Sequence, residues 1–199
     1  MRDFDIANDA TPERWTQATV HRDMWADAAE DPREMDVVEC VDERSTLLDY
    51  LRRYRLTLGL KCAELDPEQL TRRAVPPSTM SLLGLVRHMA GVEWHWFRNV
   101  MAGEDGTRPF RIPEDRDWEF NGVTAEPECV REAMESWHAE IAFAQQYVDG
   151  QDDLATHGAQ TGDDAVQLRD ILVHMIEEYA RHCGHADLLR ERIDGRVGQ

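Results

Sequence analysis

The sequence has little basic charge, and none of that charge is gathered into a run. Asp and Glu together number 40 against 22 Lys and Arg, which leaves a formal net charge of -18 at pH 7. Such a chain repels phosphate backbones and the anionic lipids of a membrane surface. We therefore expect neither nucleic acid nor a membrane among its partners.

Long apolar runs and paired cysteines are also missing. No stretch reaches the roughly 20 apolar residues that a membrane-spanning helix needs, and the N-terminal MRDFDIANDATPERW holds no apolar signal segment. The 4 cysteines are scattered without a C-x-x-C pair, which argues against a zinc knuckle or a redox pair. These absences favour a cytoplasmic protein with reduced thiols.

Strict alternation of apolar and polar residues, the pattern of a half-buried strand, is absent as well. Apolar residues recur at helical spacing, which predicts an all-α fold in the form of a four-helix bundle. Residues 41–199 are expected to form this bundle. Residues 1–40 are expected to form an acidic extension with a short helix from Thr11 toward Ala29. The four long helices are predicted at about Glu43 to Glu64, from after Ser78 to about Met101, at about Pro127 to Gly150, and from about Gln167 to just before Asp194.

The connection between the second and third predicted helices is too long for a tight turn. Residues 103–127 hold several aromatic side chains, among them Phe110, Trp118 and Phe120. We expect this segment to form a packed crossover or a lid over one end of the helices.

The fourth helix carries polar groups where a packed helix normally carries hydrocarbon. Its inward stripe comprises Leu168, Ile171, Met175, Glu178, His182, His185 and Leu189. At about 100° per residue, Glu178, His182 and His185 project from one face. Burying such groups unpaired would cost several kcal/mol. A divalent metal ion would remove that cost, because it pairs with carboxylate and imidazole alike.

The second helix repeats this pattern more weakly, since His88 and His95 fall on its apolar rhythm with Leu85 and Val92. A lone histidine there is more often a core residue bonded to a carbonyl. With two more histidines on the fourth helix, however, three ligands from two helices predict a catalytic transition-metal site with an open position. His95 lies too far along to share the ion, and it either lines the cavity or packs in the core.

Two strings in the chain resemble a known family. SLLGLVRHMAGVEWHWF and ILVHMIEEYARHCGHADLLRERIDGRVG are similar to the DinB-like superfamily of metal-binding four-helix bundles. They resemble an actinobacterial branch without an assigned function, related to enzymes that depend on mycothiol or bacillithiol. The resemblance covers about Asp42 to Gly198. It implies an up-down-down-up bundle, often a homodimer, with a metal held by one histidine of the second helix and two residues of the fourth.

His88 matches the metal ligand of the second helix in that superfamily. The commonest pattern on the fourth helix is H-x3-H, but Arg181 stands four residues before His185. The maleylpyruvate isomerase branch has a glutamate four residues before a histidine, as Glu178 and His182 do here. We predict His88, His182 and His185 as the ligands. Glu178 is then a fourth ligand or an acceptor for an imidazole N–H.

Characterised relatives implied by the resemblance include transferases and isomerases that use a low-molecular-weight thiol. We therefore expect a metal-dependent transferase that joins a thiol of the mycothiol type to an electrophilic small molecule. In this hypothesis Glu178 positions or deprotonates the thiol, and His95 lines the cavity that receives it. Zinc is the expected ion, with nickel, iron or manganese as alternatives. The alternative functions are a metal-dependent hydrolase and a non-catalytic metal-binding or stress-response bundle.

Overall fold

A computed structural model describes residues 12–14, 31–35, 39–159 and 165–198. Within these ranges the chain is helical, with two isolated β-bridges and no strand. This result confirms the all-α class that the apolar spacing predicted. The short helix predicted between Thr11 and Ala29 falls mostly on residues outside the described ranges. No helix in the described part is long and apolar enough to cross a membrane.

Four helices are long and the others span one or two turns. In chain order they are α1 (Pro32–Met35), α2 (Glu43–Cys62), α3 (Pro67–Thr71), α4 (Leu82–Glu93), α5 (Trp118–Asn121), α6 (Pro127–Asp149) and α7 (Leu168–Asp194). The long helices α2, α4, α6 and α7 are those that the sequence predicted. The short helices α3 and α5 lie in segments that were predicted as connections.

Local signals set the starts of the long helices. Asp42 and Ser45 form a reciprocal capping box at the start of α2. The Ser81 side chain accepts a hydrogen bond from the backbone N–H of Gly84 at the start of α4. Pro127 occupies the first turn of α6. A first helical turn leaves backbone N–H groups unpaired. Asp42 and Ser81 accept hydrogen bonds from such groups, and Pro127 has no N–H to satisfy.

Beyond Glu93 the helix α4 continues as a π-helical segment, Trp94–Met101. The predicted end near Met101 is therefore confirmed, but the winding is not uniform. A π-helix bonds residue i to i+5, so its side chains follow a different rhythm from those of an α-helix. The rhythm that placed His95 on the inward stripe therefore does not extend past Glu93.

The long helices pack around an aliphatic core. α7 lies along α2, and α4 contacts both α6 and α7. Leu58, Leu85, Met89, Leu172 and Met175 are fully buried between them. The short helix α5 packs tightly on α4 at Gly84, where an added Cβ would come within 2.7 Å of Phe120 Cδ1.

A buried hydrogen-bond network joins all four long helices. The Arg55 guanidinium on α2 donates to both carboxylate oxygens of Glu93 on α4, at 2.8 and 2.7 Å. The Tyr179 hydroxyl on α7 donates to Glu93 at 2.8 Å and accepts from the Trp137 indole on α6 at 2.8 Å. Burial raises the pKa of Tyr179, which keeps its hydroxyl protonated as a donor.

Replacing Glu93 by alanine should lower the free energy of unfolding by about 3–5 kcal/mol. The variant leaves the Arg55 charge buried without its carboxylate and removes the acceptor of Tyr179. Urea denaturation followed by circular dichroism measures the loss. The control Glu135→Ala breaks an exposed ion pair with Arg131 and should change stability much less. Equal losses in the two variants would contradict the importance of the buried network.

Candidate metal centre

Two histidines and a glutamate from facing helices form a compact group. One ligand atom from each of His88 on α4 and Glu178 and His182 on α7 lies within 4.8 Å of the other two. Among the described residues, no other set of His, Cys, Asp and Glu side chains has this spacing. The group could hold a metal ion.

The distances within the group suit a tetrahedral ion. Glu178 Oε2 lies 3.5 Å from His182 Nε2 and 3.9 Å from His88 Nε2. Two ligands bound at about 2.0–2.1 Å to such an ion are separated by roughly 3.3 Å. The side chains keep 12% (His182), 20% (His88) and 26% (Glu178) of their surface exposed. They are thus held in place by packing yet remain reachable from solvent.

Glu119 on α5 contacts the outer ring nitrogen of His88. Its Oε1 lies 3.2 Å from His88 Nδ1, and the His88 ring stacks on Phe120 with 5.7 Å between centroids. A carboxylate in this position fixes the imidazole tautomer and leaves the lone pair of Nε2 for an ion. Glu119 was not among the residues predicted from the sequence. Its only signal was a place between Trp118 and Phe120 in the long aromatic connection.

His185 contacts the outer ring nitrogen of His182 in the same manner. The two Nδ1 atoms are 3.3 Å apart, so one ring donates and the other accepts. Burial lowers the pKa of His185, and the charges of His182 and Arg181 lower it further, so this ring is neutral at pH 7 and can accept. The structure thus places His185 beside the group of ligand atoms and Glu178 within it.

The charges of the group favour a cation. Interaction with His182 and then His88 holds the pKa of Glu178 well below its usual range, despite burial. Burial lowers the pKa of His88, but the carboxylates of Glu119 and Glu178 more than offset this effect and raise it. The carboxylate is therefore ionised, and the imidazoles lie in a negative potential that attracts positive charge.

His95 lies outside this group, on the π-helical segment. Its ring packs edge-on against Trp96 at 4.9 Å between centroids, and Trp96 packs in turn against His174 on α7 at 4.8 Å. His174 Nε2 lies 3.6 Å from Glu178 Oε1. A row of rings therefore leads from His95 to the site. That His95 lines a cavity stays a prediction.

The fold and the site define an all-α protein with a candidate metal centre of two histidines and a glutamate. A family model described as mycothiol S-transferase matches residues 46–195. The chain therefore belongs to the mycothiol S-transferase family, which lies within the DinB-like superfamily. Comparison with curated proteins and with solved structures found no match. The candidate ligands and both outer partners, Glu119 and His185, lie within the matched residues.

Replacing Glu178 by alanine should abolish stoichiometric zinc binding, whereas His185→Ala should retain it. Glu178 contributes a ligand atom, while His185 acts through His182, and losing such an outer partner costs about 10- to 100-fold in affinity. Elemental analysis after dialysis gives the stoichiometry, and competition with a chromophoric chelator gives the affinity. His138→Ala, an exposed histidine on α6, is the control. Full occupancy in Glu178→Ala with none in His185→Ala would favour the ligand set predicted from the sequence.

Proposed function

We propose that the protein is a metal-dependent S-transferase that joins mycothiol, or a similar low-molecular-weight thiol, to an electrophilic small molecule. The supporting observation is the group formed by His88, Glu178 and His182, which lies inside the residues matched by the family model. Membership of the family supports a transferase that acts on a thiol. The donor atoms of the group support its dependence on a metal.

The donor set suits a catalytic ion. Two imidazole nitrogens and one carboxylate oxygen match catalytic zinc sites, which leave a fourth position open. Each imidazole also has the outer partner that such sites use, Glu119 for His88 and His185 for His182. A divalent ion bound there supplies Lewis acidity and lowers the pKa of a coordinated thiol. Zinc is the ion we expect, and nickel, iron and manganese remain alternatives.

The side chains around the group then have separate tasks. The Nε2 atoms of His88 and His182 and the Oε2 atom of Glu178 would hold the ion. The low pKa of Glu178 makes it a weak base, which favours its role as a ligand over the removal of a proton. His174 lies 3.6 Å from Glu178 and is 37% exposed, so it connects the group to solvent.

Membership of the family also supports the finer expectations for the fold. We propose that α2, α4, α6 and α7 form an up-down-down-up four-helix bundle over residues 41–199, preceded by an acidic extension. We further propose that the protein works in the cytoplasm as a homodimer. His95 is proposed to line the thiol-binding cavity, since it connects to the centre through Trp96 and His174.

Zinc-loaded protein should accelerate the reaction of mycothiol with monochlorobimane. The sulfur of the thiol forms a bond to carbon, chloride leaves, and the proton goes to solvent, so fluorescence of the conjugate reports the rate. Glu178→Gln removes the charge but keeps the shape, and it should abolish the metal-dependent rate. His138→Ala should leave that rate unchanged.

The same assay defines the contrary result. If the metal accelerates the reaction with none of mycothiol, bacillithiol and glutathione, the proposed transferase function is wrong. Metal-dependent cleavage of an ester by that same protein would favour the hydrolase instead.

Lowering the pH from about 7 to 5 should release the ion, because a protonated imidazole cannot bind a metal. The metal content should therefore be highest at neutral pH and fall as the solution is acidified. Elemental analysis after buffer exchange at each pH measures this loss. A metal content that stays constant over the interval would contradict ligation by His88 and His182.

A further inference from the structure

Two arginines near the candidate metal centre lack a hydrogen-bond partner among the described residues. Arg87 directly precedes His88 on α4 and keeps only 4% of its surface exposed. Its Nε and Nη1 atoms are buried and unpaired, and its guanidinium lies 4.5 Å from the centre of the Phe110 ring. The second arginine, Arg108, belongs to the same connection as Phe110 and is partly buried. Because two buried N–H groups of Arg87 have no acceptor, this part of the protein favours a bound anion.

Gly91 makes room for the guanidinium of Arg108 on the surface of α4. An added Cβ at Gly91 would come within 2.6 Å of Arg108 Nε and 3.2 Å of its Nη2. Gly91 follows His88 by three residues, so the two lie on the same side of the helix, about one turn apart. The long connection therefore delivers a positive group next to the candidate metal centre.

The charge of Arg108 acts on the side chains around the centre. Burial lowers the pKa of Arg108, and the charges of Glu119 and Glu178 oppose that effect. Burial likewise lowers the pKa of His95, and Arg108 lowers it further. Glu119 Oε1 contacts His88 Nδ1 at 3.2 Å, and no hydrogen bond joins Arg108 to another of the described residues. The N–H groups of Arg108 therefore remain available to a ligand.

We propose that Arg108 binds a carboxylate on the electrophilic substrate, with Arg87 adding a second positive charge behind Phe110. A planar guanidinium recognises a carboxylate through two parallel hydrogen bonds. The electrophile would thus be anchored by its anionic end beside the centre that holds the thiol. The inference rests on the proposed function for the reaction, but carboxylate binding itself requires neither the thiol nor the ion.

Isothermal titration calorimetry with 3-nitrobenzoate and its neutral analogue 3-nitrobenzamide tests the proposal. The wild-type protein should bind the acid more tightly than the amide. Arg108→Gln should weaken binding of the acid about 10- to 100-fold, as the loss of hydrogen bonds to a charged group implies, and leave the amide unchanged. Arg116→Gln makes the same charge change at an exposed position of the connection and should alter neither affinity.

Gly91→Ala supplies a variant that keeps both arginines. Its new methyl group displaces the Arg108 guanidinium, so it should also weaken binding of the acid without affecting the amide. Circular dichroism verifies that each variant is folded. Equal affinity of the wild type for acid and amide, or acid binding that Arg108→Gln leaves intact, overturns the proposal.

Removal of metal separates this inference from the proposed function. Chelator-treated protein should keep its preference for the acid if Arg108 provides it, whether or not the protein conjugates thiols. A preference that disappears with the ion would show direct binding of the carboxylate to metal and would overturn the proposal.

In turnover with 4-chloro-3-nitrobenzoate, sulfur replaces chloride on the ring carbon, and the thiol proton goes to solvent. Arg108→Gln should raise KM for this acid and leave kcat/KM for its methyl ester unchanged.

Discussion

The buried bond between Glu93 and Tyr179 determines how α4 and α7 are placed relative to each other. Tyr179 follows Glu178 directly, and Glu93 lies five residues after His88 on the same helix. If the two helices slipped along each other, this bond would break and, at the same time, the candidate metal ligands would move apart. Arg55 makes the arrangement possible, because its guanidinium pairs with the Glu93 carboxylate, whose burial alone would be costly. Stability and site geometry thus depend on the same interaction.

Apolar spacing predicted the long helices to within a few residues, because a helix that buries one face repeats its hydrocarbon over many turns. The four-residue α5 and five-residue α3 are too short to show any period, so they could not be found in this way. The π-helical segment after Glu93 also escaped prediction. A π-helix differs from an α-helix in its backbone hydrogen bonds, and the spacing of apolar residues does not reveal which backbone groups are bonded.

The candidate site was predictable where its members lie on the apolar stripe of a long helix, as His88 does on α4. Glu178, His182 and His185 lie on one face of α7, and spacing alone identified that face. Spacing could not decide between Glu178 and His185, because residues three and four positions from His182 are both its neighbours. That choice depends on side-chain rotamers and on the position of α4. Glu119 lies on α5, a separate element that reaches the centre because α5 packs closely on α4. No repeating pattern in the sequence indicates that contact.

The change of winding after Glu93 divides one continuous helix into two parts that meet different structural constraints. The part before it must keep its phase with α7, since it carries His88 and Glu93. The part after it sets the direction in which the chain leaves the helix toward Arg108. Deleting a single residue from this wide turn would restore ordinary winding and rotate the exit by about 100°. Under the proposed function, one such deletion would move Arg108 and change which substrates bind, while the candidate metal centre keeps its geometry.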